Sequence, residues 1–156
     1  PIFHELQGIK DSPFNVQPVR GKYMWRDLER LCLKYGLPWQ KQTVFPRNSV
    51  LAARVALCAG DAIGPLTKAI FSANFAEDRD INDPEVLRQI VESIGGDGKQ
   101  ALELSQTPEV KAQLRANTAE AQRLGIFGAP DFIVDGELFF GHDRMEDAIA
   151  WAAAKP

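Results

Sequence analysis

A predicted hairpin near the C-terminal end constrains the fold more than any other sequence feature. Two apolar runs, FIV and LFF, flank Asp135-Gly136, a dipeptide that favours a type I′ turn between antiparallel strands. Phe132 and Val134 point to one face of this hairpin and Ile133 to the other, so both faces are apolar. Such a hairpin needs helices on both faces and further strands beside it. The rest of the sequence offers no convincing strand, and we therefore expect an incomplete sheet.

Helical spacing dominates the chain before the hairpin. The apolar residues of the third predicted helix are expected to be buried, namely Ile63, Leu66, Ile70, Phe71 and Phe75. No fixed-period repeat connects the helices, which argues against a solenoid. Capping residues and helix-breaking residues place the helix starts near Gly21, at Asn48, near residue 63, at Asp83-Pro84, at Asp97 and at Thr107-Pro108.

One more helix is predicted after the hairpin. Asp143 is expected to be its N-cap, with Glu146 completing a capping box. Its apolar stripe comprises Met145, Ala148, Ile149 and Ala152. The predicted order is therefore a helical module, a hairpin and a final helix.

Charge and residue usage exclude several classes of function. A net charge of −3 and a pI near 5.4 argue against a nucleic-acid or anionic-membrane partner. No apolar run reaches the length of a membrane span, and we expect a cytoplasmic protein. Cys32 and Cys58 are predicted to be buried, reduced thiols, because they are far apart and lie on apolar helical stripes. His4 and His142 have no ligands at metal-binding spacing, so no metal site is predicted.

One group of residues suggests a ligand site. Gly-Ala-Pro, ending at Pro130, leads into the hairpin, and Asp143-Arg144 follow it at the start of a helix. Free N–H groups and the dipole at a helix N-terminus favour a carboxylate, while Asp143 can meet an ammonium. The alternatives are a plain turn at Pro130, an Asp143 that only caps its helix, and a His142 that is a loop residue. Acidic pairs such as Asp78 with Asp80 are expected to be solvated surface.

Three segments carry a family resemblance. They are GIFGAPDFIVDGELFFGHDRMEDAIAW (125–151), KYMWRDLERLCLKYGLPW (22–39) and FPRNSVLAARVAL (45–57). They resemble the 2-hydroxychromene-2-carboxylate isomerases, which belong with the kappa-class glutathione transferases in a larger DsbA-like family. The resemblance implies an α/β thioredoxin-like fold with an inserted all-α domain. It divides the chain into a loop over residues 1–18, a helical insert over 19–106 and a C-terminal thioredoxin-like part over 107–156.

The resemblance also implies a glutathione site. Pro130 would be the family's cis-proline, and Ala129 would hold the cysteinyl part of glutathione through its backbone N–H and C=O. Asp143 and Arg144 would hold the γ-glutamyl end. Some family members have a glutathione-contacting asparagine before the first long helix, where this chain has Lys10-Asp11-Ser12, so that contact is not carried over. The family's first strand, helix and second strand, with the serine that faces the glutathione sulfur, are expected upstream of Pro1.

The leading hypothesis is a glutathione-dependent isomerase that interconverts 2-hydroxychromene-2-carboxylate and trans-o-hydroxybenzylidenepyruvate, or acts on a related aromatic-catabolism substrate. The enzymatic alternatives are a kappa-class glutathione transferase and a DsbA-like thiol-disulfide oxidoreductase. A further alternative is a non-catalytic fragment or binding module, and this chain alone is expected to be inactive. Glutathione and a small aromatic substrate are the expected partners, and a homodimer is an open alternative to a monomer.

Overall fold

A computed structural model describes residues 11–154, without the side chain of Pro13, and these residues form two compact units. The first unit covers residues 11–114 and the second residues 115–154. Helix α7 begins in the first unit and ends in the second. In chain order, the elements are α1 (Pro13–Val16), α2 (Pro18–Tyr35), α3 (Val50–Leu57), a 3₁₀ turn (Gly60–Ala62), α4 (Ile63–Phe75), α5 (Pro84–Ser93), α6 (Gly98–Ser105), α7 (Pro108–Arg123), β1 (Asp131–Val134), β2 (Glu137–Phe140), a second 3₁₀ turn (His142–Arg144) and α8 (Met145–Ala154).

The apolar core of the first unit lies among α3, α4, α5 and α6. Leu66, Ile70 and Ala73 recur at i, i+4 and i+7 and form the buried stripe of α4. Burying a side chain such as Leu87 contributes about 1.5–3 kcal/mol relative to leaving it exposed. The buried members of the core are Ala52, Val55, Leu66, Ile70, Ala73, Ile81, Leu87, Ile90 and Val91.

The predicted apolar face of α4 is partly wrong. Phe71 is 57% exposed, and Ile63 and Phe75 also face solvent. The buried residues of α4 are Leu66, Ile70, Ala73 and Asn74, which form a narrower stripe than predicted. The extra apolar residues of α4 therefore stay outside the core.

Two predicted helix caps are confirmed. The Asp83 side chain accepts a hydrogen bond from the Glu85 N–H at 2.8 Å. Asp97 accepts one from the Gln100 N–H at 2.9 Å. These bonds satisfy N–H groups that have no partner within the helix, so α5 and α6 start where the sequence predicts.

The start of the first long helix differs from the prediction. It begins at Pro18 rather than near Gly21, because proline at the first helical position needs no N–H partner. Within the predicted loop of residues 1–18, residues 13–16 form the short helix α1, and residues 1–10 lie outside the described part. Asn48 lies one position before the N-cap Ser49, although its side chain accepts a hydrogen bond from the Val50 N–H at 3.0 Å.

The second unit contains the predicted hairpin. Strands β1 and β2 are antiparallel, and Asp131 pairs with Phe140 at their open end. Asp135 has φ 51° and Gly136 has φ 84°, the two positive values that a type I′ turn requires. Helix α8 packs against one face of the hairpin, where the Phe139 ring lies 6.4 Å from the ring of Trp151, centroid to centroid.

The apolar stripe predicted for the last helix is only partly buried. Ala148 is buried, whereas Met145 and Ile149 are exposed. In the described part of the chain, no helix combines the length and the apolar character needed to cross a membrane.

Candidate functional site

The hairpin brings the predicted site residues to one place. The Pro130 carbonyl accepts a hydrogen bond from the Gly141 N–H at 2.9 Å. This bond closes the open end of the hairpin, immediately beyond the first strand pair. Ala129 on the incoming chain and Asp143-Arg144 on the outgoing chain therefore lie at the same end of the hairpin.

The Ala129-Pro130 peptide bond is cis and leads directly into β1, as the sequence predicts. Both residues are exposed. Within residues 11–154, neither the N–H nor the C=O of Ala129 takes part in a backbone hydrogen bond. Ala129 thus presents a donor and an acceptor that an extended ligand could pair with.

Asp143 does not cap the last helix, which corrects the prediction. It lies inside a 3₁₀ turn, and α8 begins only at Met145. The reason is Gly141, whose φ of 108° redirects the chain after β2. A Cβ on Gly141 would lie 2.5 Å from the Asp143 Oδ1, so this carboxylate lies against the glycine backbone. Asp143 itself is exposed and available to a ligand cation.

Arg144 is the cation of the predicted site. Its Nη1 lies 3.3 Å from the Asp147 Oδ2, and both side chains are more than half exposed. Exposed pairs of this kind contribute at most about 1 kcal/mol, so Asp147 holds the guanidinium only weakly. The Arg144 N–H donates to the Gly141 carbonyl at 3.1 Å and closes the 3₁₀ turn. The neighbouring His142 is exposed and is the first residue of the same 3₁₀ turn.

The loop before α2 uses its polar residues structurally. The Asn15 Nδ2 donates to the Phe45 carbonyl at 3.0 Å and also contacts the Asp11 carboxylate. Asp11 Oδ1 accepts a hydrogen bond from the N–H of the buried Ser12 at 2.6 Å. Lys10 lies outside the described residues. Asn15 thereby ties the start of α1 to the connector between α2 and α3.

A buried ion pair in the first unit was not predicted. Arg47 and Asp78 pair with side chains only 6% and 10% exposed, which corrects the expectation that Asp78 is solvated. Arg47 Nη1 also donates to Asn74 Oδ1 at 3.0 Å, and the Thr43 N–H donates to Asp78 Oδ1 at 3.0 Å. The hydrogen bond from Thr43, and after it the Arg47 guanidinium, lower the pKa of Asp78. No short-range pattern could reveal the pair, because its members lie 31 positions apart.

The two cysteines are free thiols and are only half-buried. The Cys58 thiol donates to the Arg54 carbonyl at 3.2 Å, and burial raises the pKa of this thiol. A raised pKa disfavours the reactive thiolate. Across residues 11–154, no cluster of His, Cys, Asp and Glu side chains is suited to hold a metal ion.

Known proteins resemble the chain over most of its length. The sequence profile of the DSBA-like thioredoxin domain matches residues 1–149. The 2-hydroxychromene-2-carboxylate isomerase of Sphingobium xenophagum is 28% identical over 136 residues, which cover 86% of this chain and 70% of that protein. Human glutathione S-transferase kappa 1 is 30% identical over an alignment 161 positions long, and the match covers 88% of this chain and 70% of that protein.

A solved structure of a selenomethionine 2-hydroxychromene-2-carboxylate isomerase matches with a TM-score of 0.85 at 18% identity. The match covers 97% of this chain and 76% of that chain. The predicted DsbA-like thioredoxin fold, mostly helical with a small two-stranded sheet, is thereby confirmed. With a profile match that spans nearly its whole length, the chain belongs to the DSBA-like thioredoxin domain family.

Proposed function

We propose that this protein uses glutathione to isomerise a conjugated aromatic substrate of the 2-hydroxychromene-2-carboxylate type. The observation that carries the proposal is the open end of the hairpin. There the exposed Ala129, whose N–H and C=O make no backbone hydrogen bond within residues 11–154, lies at the same end of the hairpin as Asp143 and Arg144. The proposal is supported by relatives that are a 2-hydroxychromene-2-carboxylate isomerase and a kappa glutathione transferase.

The donor and acceptor groups at this end fit glutathione. The N–H and C=O of Ala129 would pair with the cysteinyl backbone as an added strand would. Asp143 would accept from the γ-glutamyl ammonium, and Arg144 would donate to the neighbouring carboxylate. The γ-glutamyl group carries both charges on one carbon, and two adjacent residues of opposite charge match that arrangement.

The chemistry that glutathione supplies is a reversible nucleophilic addition. The thiolate forms a C–S bond to the conjugated C=C, and the electron pair moves onto the carbonyl oxygen as an enolate. After rotation about the resulting C–C single bond, elimination breaks the C–S bond and restores the C=C. The chain's own part in this scheme is to hold the peptide portion of glutathione through Ala129, Asp143 and Arg144.

Binding of reduced glutathione is the direct test on this chain. In calorimetric titration we expect Arg144→Ala to weaken binding about tenfold or more, because a charge-assisted hydrogen bond is lost. Arg123→Ala is the matched control, since Arg123 lies in the same unit in an exposed pair with Glu120. The control should bind like the wild type. A wild type that shows no binding, or an Arg144→Ala variant that binds as tightly as Arg123→Ala, would contradict the proposal.

Turnover assays separate the alternative activities, and they use the full-length protein because this chain alone is expected to be inactive. The kappa-class alternative is favoured by the 30% identity to the human transferase, and it predicts conjugation of glutathione to a chlorodinitrobenzene electrophile. A thiol-disulfide oxidoreductase, which would need a C-x-x-C pair at the start of the first thioredoxin helix, predicts glutathione-independent reduction of insulin disulfides. A binding module predicts glutathione binding without turnover in any of these assays. Glutathione-dependent loss of the chromene absorbance with neither other activity supports the isomerase.

A further inference from the structure

We propose that Asp131 is an additional ligand-binding residue of this site, and that its carboxylate accepts hydrogen bonds from an N–H group of glutathione. The proposal rests on the proposed function and adds a contact to it. Asp131 opens β1 and directly follows Pro130. It therefore lies at the same end of the hairpin as Ala129, Asp143 and Arg144.

The Asp131 carboxylate is shielded and unpaired. The residue is half-buried, yet both its Oδ1 and Oδ2 are hidden from solvent, and neither has a hydrogen-bond partner within residues 11–154. Its neighbours on the same hairpin face offer no side-chain donor. They are Ile133, Leu138 and Phe140, and the Phe127 ring packs on Phe140 with centroids 4.8 Å apart.

An unpaired carboxylate among apolar side chains is costly. Removing it from water without a donor costs more than burying a neutral polar group, and native structures satisfy almost all such groups. A buried group that remains unpaired in the free protein calls for a physical explanation, and a bound molecule that completes its hydrogen bonding is one. A ligand group that only accepts hydrogen bonds would not satisfy the Asp131 carboxylate, whereas an N–H donor would.

Glutathione carries two kinds of N–H donor, the amides of its peptide backbone and the α-ammonium of its γ-glutamyl group. Ala129 is proposed to hold the cysteinyl backbone, and Asp131 is two residues further along the same segment. Asp143 is already proposed to pair with the ammonium. Titration with glutaryl-cysteinylglycine, which lacks the ammonium, separates the two sources of N–H. If Asp131 meets an amide, its substitution weakens binding of both peptides by the same factor. If it meets the ammonium, only binding of glutathione is weakened.

The decisive variant is Asp131→Asn, which keeps the shape and removes the charge. We expect it to bind reduced glutathione about tenfold or more weakly in calorimetry. We also expect it to unfold at the same or a higher temperature, because no paired charge is lost from the free protein. Glu137→Gln is the matched control, an exposed carboxylate on the same hairpin. It should leave both the affinity and the melting temperature unchanged.

The two readouts distinguish binding from structure. A lower melting temperature with unchanged glutathione affinity would make Asp131 a structural residue and overturn the inference. Unchanged affinity at any melting temperature would also overturn it. Asp131→Ser gives a second, smaller variant with the same expected loss of affinity. If the wild type binds no glutathione, the proposed function fails. If the wild type binds and the Asp131 variants bind equally well, only the role of Asp131 fails.

Discussion

The two units of the chain differ in how they bury apolar side chains. Residues 11–114 bury nine apolar residues in one cluster. In residues 115–154, Ala148 is the only described apolar residue that is buried, whereas Ile149 is 62% exposed and the Phe127 and Phe140 rings are about half exposed. Among the described residues, the helical unit therefore holds the apolar core, and the hairpin unit buries little apolar surface. Substitutions matched between the two units measure this difference.

The largest expected effect is the loss of the buried ion pair in the helical unit. Arg47→Met should destabilise the protein strongly, since it leaves the Asp78 carboxylate buried without its cation. The matched substitution Arg123→Met, in an exposed pair of the second unit, should have no measurable effect. Chemical denaturation of both variants tests the contrast. The double variant Arg47→Met, Asp78→Asn should recover part of the loss, and a double variant less stable than Arg47→Met would contradict the explanation.

The Arg47–Asp78 pair should also make the stability of the protein depend on pH. The folded-state pKa of Asp78 is lowered, so its contribution is fully present above the unfolded pKa of about 4. That contribution is lost as the pH falls through the lowered pKa. Wild-type protein should therefore lose more stability on acidification than Asp78→Asn, measured by denaturation at pH 7 and below pH 4. Parallel pH profiles would contradict this assignment.

The next largest effect is the difference in lost stability between alanine substitutions of a core isoleucine and a surface isoleucine. Ile90→Ala should cost about 2–5 kcal/mol, because it opens a cavity in the core. Ile149→Ala should cost less than about 1 kcal/mol, because its side chain is 62% exposed. Equal losses in urea denaturation would show that Ile149 is covered in solution, and the contrast between the two units would fail.

A smaller contrast in stability is expected between alanine substitutions at two glycines. Gly141→Ala should cost about 1–3 kcal/mol of strain, because it forces a non-glycine residue into a sparsely populated backbone region. At φ 108°, the new Cβ would also displace the Asp143 carboxylate, so glutathione affinity should fall as well. In Gly64→Ala at the start of α4, the new Cβ meets nothing within 4 Å apart from its chain neighbours, but Pro65 follows and disfavours a helical residue with a Cβ before it, so we expect a change of less than about 1 kcal/mol. If Gly141→Ala is as stable as the wild type in chemical denaturation, the positive φ at residue 141 is not required by the fold.

The smallest contrast is between two aspartates at helix starts. Asp83→Ala removes a cap that accepts the Glu85 N–H and should cost about 1 kcal/mol. Asp143→Ala should change stability by less than about 0.5 kcal/mol, since no N-cap bond is lost, while it weakens glutathione binding. A loss at Asp143 as large as at Asp83, with glutathione affinity unchanged, would restore the role of Asp143 as a cap.

Local sequence signals predicted the starts of α5 and α6 and the type I′ hairpin, because caps and turns act over a few residues. The cis bond at Ala129-Pro130 and the family were predicted from the resemblance of longer segments, and both are confirmed. The predictions of helix burial were wrong for a different reason. Phe71 and Ile149 have the right helical spacing for burial, yet both face solvent. Periodicity defines the apolar face of a helix but not how much of that face another element covers.

By itself, the sequence determined the positions of most helices, the hairpin turn and the Pro130 to Arg144 segment that bears the proposed site. These features depend on backbone preferences and on hydrogen bonds between near neighbours. Only the tertiary structure decided that Arg47 meets Asp78, that the Gly141 turn frees Asp143 from its helix, and that the Asp131 carboxylate is hidden without a partner among residues 11–154. Each of these depends on which atoms surround a side chain after folding, and that environment is set by residues distant in the sequence or by the local path of the backbone.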